Sequence, residues 1–134
     1  MAVCYLGIGS NLGDRRKNIK LAIKKINALK QTRVVKTSRI IETEPVGGPA
    51  GQNKYLNAAL KIVTILSPIQ LLKNLKKIEE ELGRPRKHLR FGPRSIDLDI
   101  LFYGDEIVNQ KSLKIPHPRM REREFVIRPL LEII

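Results

Sequence analysis

Hydrophobic and polar positions alternate along this chain in two distinct periods, and the switches between them outline the fold. Val3-Cys4-Tyr5-Leu6-Gly7-Ile8 is an apolar run short enough for a buried strand, and Gly9-Ser10-Asn11-Leu12-Gly13-Asp14 after it reads as a turn. Asp14 is placed to cap a helix whose apolar positions, Ile19, Ala22, Ile23, Ile26 and Leu29, recur at helical spacing. The opposite face carries Lys17, Lys20, Lys24 and Lys25 and is expected to be solvated. Residues 34–41 predict a second strand and residues 55–65 a third. Ser67-Pro68-Ile69-Gln70 has the form of a capping box with proline at the first helical position. Leu71, Leu72, Leu75, Ile78 and Leu82 then form the buried stripe of a second helix, which Gly83 ends. Residues 95–103 predict a strand, and Gly104-Asp105 a hairpin turn into Glu106-Ile107-Val108. A short helix is expected near Arg128-Pro129.

Two stretches break the periodicity. Residues 42–54 hold two prolines and three glycines. Residues 84–93 hold two prolines, one glycine, Arg84, Arg86, Lys87, Arg90 and His88. Loops of this length in a chain of this size point to function, and these two are expected to close over a ligand and exclude water. Helices among several strands joined by short turns predict an α+β class with helices packed on a mostly antiparallel sheet. The 134 residues fit a single domain, residues 1–134, large enough to bury a core without disulfides or a structural metal.

Composition narrows the function classes. The one cysteine, Cys4, lies in an apolar run and reads as a buried thiol of a cytoplasmic protein. There is no cysteine–histidine cluster for zinc, no signal-peptide start, and no apolar stretch approaching the ~18 residues of a membrane span. The net charge of +13 implies an anionic partner: nucleic acid, a membrane surface or a phosphorylated small molecule.

The placement of charge chooses among these. Asp97 and Asp99 lie two apart on a predicted strand and project from one face, with Ile96, Leu98, Ile100 and Phe102 on the other. Side by side the carboxylates repel, and either Mg²⁺ or pairing with surface arginines relieves the conflict. Arg84, Arg86, Lys87, Arg90 and Arg94 precede the pair, and guanidinium groups grip phosphate oxygens bidentately. Carboxylates for metal beside cations for phosphate are the parts of phosphoryl transfer. Tyr55, Phe91 and Phe125 sit in or beside the loops, where they could stack on a flat heterocycle or simply pack. Asn57 shares the face of Tyr55 and offers both donor and acceptor, while His117 between two prolines could donate to a phosphate or cap a turn. The Gly7-x-Gly9-x-x-x-Gly13 spacing is neither the dinucleotide fingerprint nor the P-loop. A basic nucleic-acid-binding module is the rival reading, but no paired aromatic motif occurs on a strand, and the distinctive exposed pair is acidic.

Six segments in order resemble the 6-hydroxymethyl-7,8-dihydropterin pyrophosphokinases: Gly9-Ser10-Asn11-Leu12-Gly13-Asp14, Tyr55-Leu56-Asn57-Ala58-Ala59, Gly83-Arg84-x-Arg86, Phe91-Gly92-Pro93-Arg94-x-Ile96-Asp97-Leu98-Asp99-Ile100, Pro116-His117-Pro118 and Arg123-x-Phe125. The resemblance implies a ferredoxin-like fold and transfer of pyrophosphate from ATP to the pterin alcohol, with release of AMP, in folate biosynthesis. It implies two Mg²⁺ ions on Asp97 and Asp99, with Arg84 and Arg94 also catalytic. ATP would be held by Glu79, Arg84, Lys87, Arg94, Ile100, His117 and Arg123. The pterin would lie between Tyr55 and Phe125, its edge read by Asn57 and by backbone from Thr43 to Val46. Ser112, Lys114 and Pro118 depart from residues seen in some members. The expected partners are small molecules, with neither nucleic acid nor membrane, in a cytoplasmic protein whose oligomeric state the sequence leaves open, a monomer being one option.

Overall fold

The computed structural model describes residues 1–45, 50–83 and 95–134. Strand β1 (Ala2–Ser10) leads through a turn into helix α1 (Arg15–Asn27), whose N-cap Asp14 accepts from the Lys17 amide at 3.1 Å. Strands β2 (Thr32–Thr37) and β3 (Ile41–Thr43) follow, then the long strand β4 (Tyr55–Thr64) and helix α2 (Pro68–Glu81). The capping box at Ser67 and Gln70 is formed in both directions. Strand β5 (Asp97–Tyr103), a two-stranded ladder of β6 (Val108–Asn109) and β7 (Lys114–Ile115), a 3-10 turn (Met120–Glu122) and helix α3 (Glu124–Leu131) complete the chain.

The main sheet runs β2-β4-β1-β5, with β3 beside β4 beyond the end of β2, and every pairing in it is antiparallel. With helices after the first and third long strands, this is the ferredoxin-like arrangement. One face of the sheet carries Cys4, Leu6, Ile8, Leu56, Ala58, Leu60, Ile62, Leu98 and Ile100. They pack on Ile19, Ala22 and Ile26 of α1 and Leu71, Leu75 and Ile78 of α2. On the other face α3 and the 3-10 turn cover Ala59 and Leu101 with Met120, Leu130 and Ile133. Among the described residues no helix is long and apolar enough to cross a membrane.

Four local expectations are corrected. The single strand over residues 34–41 is split at Ser38, whose amide donates to the Ala59 carbonyl at 2.9 Å and whose hydroxyl accepts from the Ala59 amide at 2.8 Å. These two bonds occupy Ala59 in place of a ladder and let β3 restart further along β4. Gly104 does turn the chain (φ 52°), but the segment after it does not return along β5; β6 pairs with β7 instead, and Ile107 is 84% exposed. Phe102 does not share the face of Leu98 and Ile100. The register with β1 slips at Leu101, so Phe102 packs edge-on against Tyr5 with ring centroids 6.3 Å apart. The last helix begins at Glu124, and Pro129 lies inside it. Burial of Leu130 and Ile133 against the sheet outweighs the backbone hydrogen bond that a proline cannot donate.

Candidate active site

The end of the second sheet face that holds Gly9 is where the polar residues gather. β1 contributes Gly7 and Gly9 there. Gly9 pairs with Asn57 of β4 on one side and Asp97 of β5 on the other, and Gly7 pairs likewise with Ala59 and Asp99. Neighbouring strands lie about 4.8 Å apart, so Asn57 and the aspartates flank a trough ~10 Å across, floored by bare glycine backbone.

The trough belongs to a cleft of about 510 Å³ that also wraps the outer edge of β5. Thr43, Tyr55, Asn57 and Phe125 line it on the glycine face, with Asp97, Asp99, His117 and Arg123. Beyond the β5 edge its wall is Leu72, Lys76 and Glu79 of α2, Ile100, and residues 111–114 of the β6–β7 connection. Every described residue that sequence reasoning placed at the site therefore lines one cleft: Thr43, Tyr55, Asn57, Glu79, Asp97, Asp99, Ile100, His117, Arg123 and Phe125. Val46, Arg84, Lys87 and Arg94, and with them Phe91, lie outside the described residues. Ser112, Lys114 and Pro118 line the cleft as well.

Individual groups are held from several elements. Asn57 is buried at 7% exposure, and its Nδ2 donates to Thr43 Oγ1 at 2.6 Å. Glu79, at 6% exposure, accepts the Leu98 amide at 2.8 Å and so clasps β5 between the two aspartates. His117 Nδ1 accepts the Arg119 amide at 3.3 Å, which places the neutral ring's proton on Nε2. Burial pushes the His117 pKa down, as do Arg123 and Arg119, against an upward pull from Asp97. The Arg123 guanidinium lies 5.8 Å from the centre of the Phe125 ring.

The loop that ends at Tyr55 is tied to the first turn of the chain. Asn11, 1% exposed, donates through Nδ2 to Gln52 Oε1 (3.2 Å) and to the Asn53 carbonyl (3.3 Å). Arg15 donates to Glu42 at 3.0 Å and to the Lys54 carbonyl at 2.8 Å, pinning both ends of residues 42–54. The Gly-Ser-Asn segment therefore does two things: its glycine floors the trough and its asparagine anchors the loop.

Sequence reasoning missed Lys76, Leu72 and the part played by Gly7 and Gly9. Leu72, Lys76 and Glu79 fall on one helical stripe, a signal that was available once Glu79 was picked out. As a metal site, Asp97 and Asp99 supply hard oxygen donors on adjacent positions of one strand face. Among the described residues no group of three or more His, Cys, Asp or Glu is assembled. Two carboxylates suit a cation that draws its remaining ligands from phosphate oxygens and water, as Mg²⁺ does.

The family model for 7,8-dihydro-6-hydroxymethylpterin-pyrophosphokinase (HPPK) matches residues 5–134. The chain belongs to that family. It is 47% identical over 133 residues to the 2-amino-4-hydroxy-6-hydroxymethyldihydropteridine pyrophosphokinase of Haemophilus influenzae, covering 99% of this chain and 82% of that one. The enzyme of the same name from Aquifex aeolicus is 44% identical over 133 residues, covering 99% of this chain and 81% of its own. A solved HPPK-DHPS structure in complex with substrates superposes with a TM-score of 0.71 at 16% identity, over 99% of this chain and 40% of that one. At that identity the superposition speaks for the fold.

Proposed function

We propose that this pyrophosphokinase transfers the terminal pyrophosphate of ATP, as a unit, to the hydroxymethyl oxygen of 6-hydroxymethyl-7,8-dihydropterin. The observation that carries the reading is the trough: an amide and two aromatic rings face a carboxylate pair across bare backbone, in a chain of this family. In the reaction an O–P bond forms between the pterin alcohol and the β-phosphorus, the α–β bridge breaks, AMP leaves, and the hydroxyl proton is lost.

Asn57 would read the polar edge of the pterin, with Thr43 fixing its amide. Tyr55 and Phe125 would hold the ring's faces, and backbone near Val46 would complete that end. Asp97 and Asp99 would hold Mg²⁺, two ions in all, and bound Mg²⁺ supplies charge neutralisation to the phosphates. His117 through Nε2–H, Arg123, Arg84, Lys87 and Arg94 would grip the triphosphate, with Arg84 and Arg94 stabilising the charge that develops in the transition state. Glu79 and Ile100, on the far side of β5, would face the nucleoside. The described residues of a single chain assemble this cleft, and we take the monomer as the working unit. A cytoplasmic site of action fits the two small-molecule substrates.

The test is direct. The protein incubated with ATP, Mg²⁺ and hydroxymethyl-dihydropterin should release AMP and the pterin pyrophosphate, and omission of Mg²⁺ should stop it. ADP as the product, or AMP release indifferent to pterin, would count against the proposal.

A further inference from the structure

We infer that Gly9 is a positioning residue that sets the orientation of the Asn57 amide, and through it the selectivity of the pterin end of the cleft; this rests on the function proposed above. A glycine paired on both sides within a strand costs stability and calls for a reason. Backbone conformation is not that reason. The positive-φ glycines of the described residues are Gly13, Gly51, Gly83 and Gly104, and Gly9 is not among them. The reason is close approach: a Cβ at Gly9 would lie 2.7 Å from Asn57 Oδ1, 3.4 Å from Tyr55 Cδ1 and 3.6 Å from the Leu56 carbonyl oxygen. Gly7, one pleat away on the same face, differs. A Cβ there meets the Leu101 side chain at 3.6–3.9 Å, an ordinary contact.

Asn57 cannot yield to a new methyl group and keep its present place. Its Nδ2 is already 2.6 Å from Thr43 Oγ1, so the amide is wedged between that hydroxyl and the bare Cα of Gly9. Any side chain at position 9 forces the amide to rotate and break the Thr43 bond, or to swing into the trough. Either movement misplaces the donor–acceptor pair offered to a ring edge, and presses on the Tyr55 ring beside it. The three nearest atoms to the added Cβ all belong to β4. Its effect therefore falls on the pterin end and spares the nucleotide wall across β5.

The experiment is a cycle of four proteins: the parent, Gly9→Ala, Asn57→Ala and the double variant. Affinity for 6-hydroxymethylpterin and for a non-hydrolysable ATP analogue is measured by calorimetry, and thermal midpoints are recorded alongside. Gly9→Ala should weaken pterin binding by about tenfold and change the affinity for the ATP analogue by less than about twofold. Once Asn57 is alanine, adding Gly9→Ala should cost less than about twofold further in pterin affinity, the remainder of its contact with Tyr55, and leave the thermal midpoint in place. Pterin affinity unchanged in Gly9→Ala overturns the inference, and so does a loss that persists undiminished in the Asn57→Ala background. If Gly9→Ala does not fold, folding restored in the double variant supports the inference and its failure there overturns it. A parent protein that does not bind pterin counts against the proposed function instead. The thermal coupling between positions 9 and 57 would still be readable.

Discussion

The two faces of strands β1, β4 and β5 are made by alternate residues of the same segments, yet almost nothing about them is alike. On the helix-covered face Leu6, Leu60 and Ile62 are fully buried among other hydrophobes, with the equally buried Ser10 and Thr64 at the strand ends. On the other face, beside the first turn of α3, the same strands present Gly7, Gly9, Asn57, Asp97 and Asp99. The first face supplies the free energy that holds the sheet; the second spends side-chain positions on a trough and its donors. Because the period of a strand is two, a slip of one residue would exchange them, so the core face also fixes where the aspartates point.

The contrast is broken most severely from the core side. Leu6→Ala deletes a fully buried side chain of the helix-covered core and should cost about 2–5 kcal/mol of stability, a large share of what a domain of this size has. Chemical denaturation reads that loss, while AMP release per folded molecule in the cold should persist. Asp97→Ala should do the reverse. Turnover should fall by at least ~10²-fold, as for loss of a transition-state electrostatic contact, with the melting temperature held or raised. Near-normal turnover in Asp97→Ala would remove that residue from the metal site.

His117 lies where the two faces meet, its amide bonded to Leu101 and its ring in the cleft. Its folded pKa is depressed by burial first and by neighbouring arginines. The unfolded chain therefore binds this proton more readily than the folded one below the ordinary histidine pKa of about 6.5. The stability linked to His117 is complete above that pH and declines as the pH falls from there towards the folded pKa. Equilibrium unfolding of the ligand-free protein between about pH 7 and 5 should show this slope, and His117→Asn should flatten it.

What could be read from the chain divides along physical lines. The Asp14 cap and the Ser67–Gln70 box are local, made by side chains reaching amides within their own turn, and both are formed. The pairing of Tyr55 with Asn57, and of Asp97 with Asp99, follows from strand periodicity and needed no knowledge of the partner strand. Gly9 could not be read that way. Its run of small polar neighbours looks like a turn, and the group that demands a glycine there arrives from β4. Lys76 was legible through Glu79, with which it shares a helical stripe, whereas the flanking of the β5 edge by that stripe is a tertiary fact. Phe102 was misplaced because the register slip at Leu101 depends on pairing with β1. The β6–β7 ladder is too short for periodicity to announce. The roles of Arg84, Arg94 and Lys87 rest on the family resemblance and on phosphate chemistry.

The smallest effect on stability is expected at Arg15, and it separates anchoring from folding. The ion pair with Glu42 is partly exposed, with side-chain accessibilities of 28% and 47%, so its contribution to stability is discounted to ~0.2–1 kcal/mol. Arg15→Ala should therefore shift the melting temperature little. Yet the same guanidinium nitrogen bonds Glu42 and the Lys54 carbonyl, gripping the two ends of the segment that leads into Tyr55. Loss of that grip should raise amide hydrogen exchange around residues 43–44 and 50–54 while exchange in β1 and β4 stays slow. It should also raise the KM for pterin more than the KM for ATP. If exchange in the segment is unchanged in Arg15→Ala, the Asn11 bonds to Gln52 and Asn53 are sufficient anchors. Arg15 is then a surface ion pair and nothing more. If exchange rises and the pterin KM does not, the loop's order and the binding of the ring are separate matters, and the open face owes its selectivity to β1 and β4 alone.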